Sequence, residues 1–130
     1  MDNPPPELIQ GIAQFNRQEY FEAHETLEAI WRRESGPVRL LYQGVIQVAV
    51  GLLHAHRGNH RGAVQLLDRG IAKLDGFPSP CLGIDVASLR DQARRYRDAI
   101  LALGPERIHE TPADMSPVIT MAAPSRGRQD

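Results

Sequence analysis

Apolar residues recur along this chain at spacings of three and four, and no stretch sustains the alternation of a half-buried strand. The pattern predicts an all-α protein, a compact bundle of about five helices built from stacked helical hairpins. A first helix is expected over residues 6–16, where proline suits the opening turn and Leu8, Ile12 and Phe15 form the inner stripe. After a turn at Arg17 and Gln18, a second should span 19–34 and end before Ser35-Gly36-Pro37. The third, over 37–57, is apolar on nearly every side (Val38, Leu41, Val45, Ile46, Val48, Ala49), which makes it the central helix. Gly58-Asn59 breaks the chain, with Asn59 placed to cap a fourth helix that runs to Leu74. Asp85 caps a fifth, which buries Leu89, Ala93, Tyr96, Ile100 and Leu103 and stops at Gly104-Pro105. Residues 1–104 thus form the bundle domain, and 105–130, which lack periodicity, are expected to be an irregular or disordered tail.

A faint repeat runs through the pattern. Residues 16–23 (NRQEYFEA) align with residues 56–63 (HRGNHRGA), forty positions on. In each, one helix ends, a tight turn follows, and a small residue sits early in the next helix. The unit resembles a tetratricopeptide hairpin, although that repeat has a period of about 34 residues and more copies.

The second helix carries the one cluster with chemical character. On its wheel Tyr20, Ala23, Leu27, Ile30 and Trp31 share a side, and His24 and Glu28 fall within that apolar sector, one turn apart. A carboxylate among core residues is costly unless it is paired, protonated or bound to a cation. On the third helix Gln43, Gln47 and His54 occupy one narrow arc beside Gly44 and Gly51, glycines that allow a neighbouring helix to come close. The simplest packing sets this strip against His24 and Glu28. Trp31 is expected to be buried with them.

Two readings follow. In one, His24, Glu28 and His54 hold a single divalent metal ion, Gln43, Gln47, Trp31 and Tyr20 support them, and Glu25 is the candidate catalytic base, as a metal-dependent hydrolase would need. In the other, the cluster is a hydrogen-bond network fixing helix register in a tetratricopeptide-like interaction module. A metal-free acid–base pair of Glu28 and His24 is a third, weaker reading. His56 and His60 flank a turn and are expected to be solvated caps, and Arg90, Arg94, Arg95 and Arg97 a solvated face around Tyr96.

Composition narrows the partners. With Lys+Arg 15 against Asp+Glu 16, a formal net charge of -1 gives no pull toward nucleic acid or an anionic membrane. Cys81 alone can form neither an internal disulfide nor a CxxC site. The acidic, proline-rich start lacks the basic and apolar runs of a secretory signal, and the apolar run from residue 40 to 53 is broken by Gln43 and Gln47. A cytoplasmic protein is the expectation.

The strings FNRQEYFEAHETLEAIW and LLYQGVIQVAVGLLHAHRGNHRGAVQLL resemble the domain-of-unknown-function family 309, small helical proteins of bacteria and archaea. The likeness covers roughly residues 15–74. That family is marked by His-x-x-x-Glu-x-x-Trp/Tyr, matched here by His24, Glu28 and Trp31. The resemblance implies a helical fold and a metal-binding role for that motif, and no particular reaction.

Overall fold

A computed structural model describes residues 4–121. The helices are α1 (Pro6–Asn16), α2 (Tyr20–Arg33), α3 (Val38–His56), α4 (His60–Leu74) and α5 (Val86–Leu103). The first three start and stop within one residue of the expected bounds. Among the described residues there is no strand, only two isolated bridges that join Ile84 to Cys81 and to Met121.

The repeat in the sequence is a repeat in the backbone. At the end of α1, Gln18 N–H donates to the Phe15 carbonyl (2.9 Å) and Glu19 N–H to that of Gln14 (2.9 Å). At the end of α3, Gly58 N–H donates to Ala55 (3.1 Å) and Asn59 N–H to His54 (2.8 Å), the same pair of bonds forty residues later. Both turns pass through a left-handed residue, Gln18 at φ 63° and Gly58 at φ 80°. Two helical hairpins, α1–α2 and α3–α4, therefore share one turn.

Successive helices pack against each other, and α3 is the hub, with Leu41, Val45, Val48, Ala49 and Leu52 fully buried. Its closest neighbour is α4, because glycines remove the side chains between them. A Cβ on Gly70 would stand 2.9 Å from the Gly44 carbonyl oxygen, and one on Gly51 would stand 3.1 Å from the Leu67 nitrogen. The glycines of α3 thus admit α4, whereas the expected partner was the His24 face of α2. By length and hydropathy alone α3 could cross a membrane, but 56% of its apolar window is buried inside the bundle.

Two findings revise the expectations for the rest of the chain. His60 is no solvated cap: its Nε2–H donates to the Ile100 carbonyl (2.9 Å), pinning the start of α4 to α5. The segment after Gly104 is irregular but docked. It forms 3₁₀ segments Pro105–Glu110 and Ala113–Met115, buries Ile108 and Ile119, and is gripped by two side-chain amides, those of Asn16 and Gln92. The expected disorder after residue 121 lies outside the described residues. Arg90 and Arg97 do not merely face water; they reach Asp75 (3.2 Å) and Asp68 (2.7 Å) and tie α5 to α4 and the turn after it.

Candidate functional site

The heptad-like spacing of His24, Glu28 and Trp31 places all three on one edge of α2, where the helix leaves the core and meets solvent. Their expected burial is therefore corrected. The His24 and Glu28 side chains are 21% and 32% exposed, and Trp31 is half-buried. Residues spaced by four and three share a face, but this face sits at the rim of the apolar sector.

The local chemistry is well defined. His24 Nδ1 lies 2.6 Å from the Phe21 carbonyl oxygen, which can only accept, so Nδ1 carries the proton. In the neutral ring Nε2 is then a free lone pair, and it lies 3.9 Å from Glu28 Oε2. The Phe21 ring packs on the imidazole with centroids 5.2 Å apart and limits its rotation. The other oxygen of Glu28 accepts from Arg32 at 3.1 Å, an exposed i,i+4 pair that costs little to open.

His54 is turned elsewhere. Asn59 Oδ1 accepts from Gly62 N–H (3.0 Å), which fixes the amide so that Nδ2–H donates to His54 Nδ1 (3.1 Å). The Nδ1 lone pair of His54 is spent on the cap of α4, and Nε2 carries the proton of the neutral ring. The trio His24, Glu28 and His54 is not assembled. Among the described residues no three His, Cys, Asp or Glu side chains converge as a metal-holding group. Glu25, the candidate base, is exposed and has no hydrogen bond among the described residues.

The supporting residues divide. Gln43 and Gln47 lie half-buried on α3. Trp31 Nε1 and Gln47 Oε1 are buried atoms without a protein partner among the described residues, a donor on α2 and an acceptor on α3. Arg39 closes the far end: its guanidinium stacks 3.9 Å over the Trp31 ring while Nε–H donates to the Trp31 carbonyl (3.1 Å). The sequence reading missed this arginine, although its position one loop after Trp31 is the signal that could have found it.

Tyr20 belongs to a different neighbourhood. Its ring is 1% exposed and meets Phe15 and His56 edge-on at 5.4 and 5.2 Å. Burial, with Tyr96 adding to it, pushes its phenol up to about 12. Burial likewise lowers the His56 imidazole from its ordinary range.

Residues 8–66 match the domain of unknown function DUF309, a span that holds most of α1, all of α2 and α3, the whole His24–Trp31 edge and both hairpin turns. The chain is also 31% identical over 120 residues to the uncharacterised protein YpuF of Bacillus subtilis (strain 168), covering 82% of this chain and 69% of that one. No solved structure matches. The hub helix, the repeated turn and the α2 edge all fall within the matched segment, and the chain belongs to the DUF309 family.

Proposed function

We propose that the outer edge of α2 is a binding site at which His24 Nε2 and Glu28 serve as two donors to a divalent metal ion. The observation that supports it is the bond from His24 Nδ1–H to the Phe21 carbonyl. A ligating histidine commonly donates its other ring N–H to a carbonyl, which fixes the tautomer and aims the lone pair. Two donors do not make a closed structural site, which takes four protein ligands. They suit an ion that keeps open positions for water or for a ligand held against Trp31 and Gln47. A bound ion would supply a Lewis acid there. His24 would bind and orient it, and Glu28 would exchange Arg32 for it.

The rim position argues against a purely structural role for the pair. A carboxylate one-third open to water, paired with an exposed arginine, contributes only about 0–1 kcal/mol. Glu28→Ala should therefore leave the fold intact. The test is thermal unfolding of untagged protein with Zn²⁺, Mn²⁺, Fe²⁺ and Ni²⁺, beside the double variant His24→Leu/Glu28→Met. Metal at 100 times its dissociation constant should add about 2.7 kcal/mol to the wild type and nothing to the double variant. A wild type unmoved by all four ions, or a double variant that responds equally, overturns the reading. The repeated hairpin turn favours a second reading, a tetratricopeptide-like interaction module, in which the same face contacts a protein and metal has no effect.

A further inference from the structure

At the end of the bundle opposite the α2–α3 loop, both hairpin turns meet the docked C-terminal segment. Between them lies a half-open pocket of about 580 Å³. Its wall is built from three separate parts of the chain: Gln18 from the first turn, His56 and Arg57 from the second, and His109, Thr111 and Ser116 from the C-terminal segment. Ala55, Ile108 and the ring of Tyr96 supply apolar surface. The size falls within the range of small-molecule sites, roughly 300–1,000 Å³.

The fixed charge in the lining is the Arg57 guanidinium; the imidazoles of His56, held toward its neutral form by burial, and His109 add ring nitrogens, and no carboxylate lines the pocket. Arg57 has no acidic partner among the described residues; of the acids nearby, Glu19 pairs with Arg17 at 3.1 Å, and Glu110 pairs with Arg107 at 2.9 Å while its charge also acts on His109. Asp114 is exposed and outside the lining. Each turn sets the C-terminus of one helix beside the N-terminus of the next, so the helix dipoles largely offset and the side chains decide the potential. Behind this wall the buried Tyr20 hydroxyl lies close to Tyr96 and to the Ser116 hydroxyl, both part of the lining.

We infer that this pocket binds a small organic oxyanion, a carboxylate or phosphate group on an apolar body. Arg57, His56 and His109 face the anionic group, and Tyr96 and Ile108 face the body. The site is separate from the α2 edge and does not depend on metal there.

The five histidines make the test internal. Imidazole NMR signals of the full chain are followed during titration with phenyl phosphate at constant ionic strength, beside inorganic phosphate and neutral benzyl alcohol. Saturable shifts at His56 and His109, with His24 and His54 still, are expected for phenyl phosphate. Binding should be tighter than for either control, and Arg57→Gln should weaken it roughly tenfold or more, as loss of a charge-assisted contact does. His109→Gln, on the C-terminal wall and outside the hairpin turns themselves, should weaken it as well. Shifts that do not saturate, that move all five histidines alike, or that persist unchanged in both variants overturn the inference.

Discussion

The side-chain amide of Asn16 pairs with both main-chain groups of Ile119, Nδ2–H donating to the carbonyl (2.9 Å) and Oδ1 accepting from the N–H (2.7 Å). Gln92 holds Val118 in the same manner, at 3.0 Å both ways. Two amides thus do for the C-terminal segment what a neighbouring strand would do, satisfying backbone groups that would otherwise need water.

Asn16→Ala should cost about 1–3 kcal/mol, the sum of two ordinary hydrogen bonds. Ile119→Ala should cost about 2–5 kcal/mol through the cavity it leaves. Because both loosen one segment, the double variant should lose less than the two costs added. Urea unfolding of the four proteins measures this, and full additivity would mean that the segment does not act as a unit.

The α3–α4 contact predicts a glycine that alanine cannot replace. A Cβ on Gly70 would stand 2.8 Å from Val48 Cγ2 and 3.0 Å from its nitrogen. Alanine gains about 1 kcal/mol of helix propensity there, but forcing the helices apart costs about 1–3 kcal/mol. Gly70→Ala is therefore expected to be net destabilising. Gly76→Ala, whose nearest neighbour would be the Lys73 carbonyl at 3.5 Å, should be neutral or slightly stabilising in the same assay.

The two hairpin turns should respond to opposite substitutions. A Cβ on Gly58 meets nothing within 4 Å, so Gly58→Ala isolates the cost of a left-handed residue, about 1–2 kcal/mol. Gln18 already bears that strain at φ 63°. Gln18→Gly should relieve it and raise the melting temperature, less the added freedom of the unfolded chain, about 0.5–1 kcal/mol. If both variants destabilise alike, the turns are not equivalent.

Tyr20 gives the protein an alkaline limit. Its phenol loses its proton near 10 in the unfolded chain and near 12 in the folded one. Stability is therefore level below pH 10 and falls between pH 10 and 12, as the unfolded state alone releases the proton. At two units the effect approaches 2–3 kcal/mol, by roughly 1.4 kcal/mol per unit. Burial raises the Tyr42 and Tyr96 phenols as well, so phenolate absorbance should show all three tyrosines titrating late; Tyr20→Phe should remove one of them and make the alkaline decline shallower.

Helix bounds could be read from the chain because caps and breakers are local: Pro6, Asn59 and Asp85 act within a turn of where they sit. Asn59 and Asp85 cap as expected, accepting from Gly62 N–H and Ser88 N–H. The candidate site was legible only in part. Periodicity fixes which residues share a face, so His24, Glu28 and Trp31 do share one. It does not fix how deep that face lies, and here it lies at the rim, with the His24 and Glu28 side chains 21% and 32% exposed. His54 was misplaced for another reason. Its wheel position is unchanged, but a bond to Asn59, set by the turn that follows, aims the ring at α4. The docked segment escaped notice because side-chain amides hold it, and they leave no period in the sequence.

The clasp between Asn16 and Ile119 also has a place in time. The two residues are 103 positions apart. A ribosome adding roughly 5–20 residues per second makes Asn16 about 5–20 s before its partner exists. In the later part of that interval, once α4 is made to Leu74, both hairpins can form with the amide in water and the end of the bundle uncovered. The His56–Arg57 wall is synthesised before the interval is half over, but the wall carrying His109 and Ser116 is added only at its close. A nascent chain would thus own the α2 edge well before it could own the pocket, and chaperones meeting it early would see an unroofed bundle.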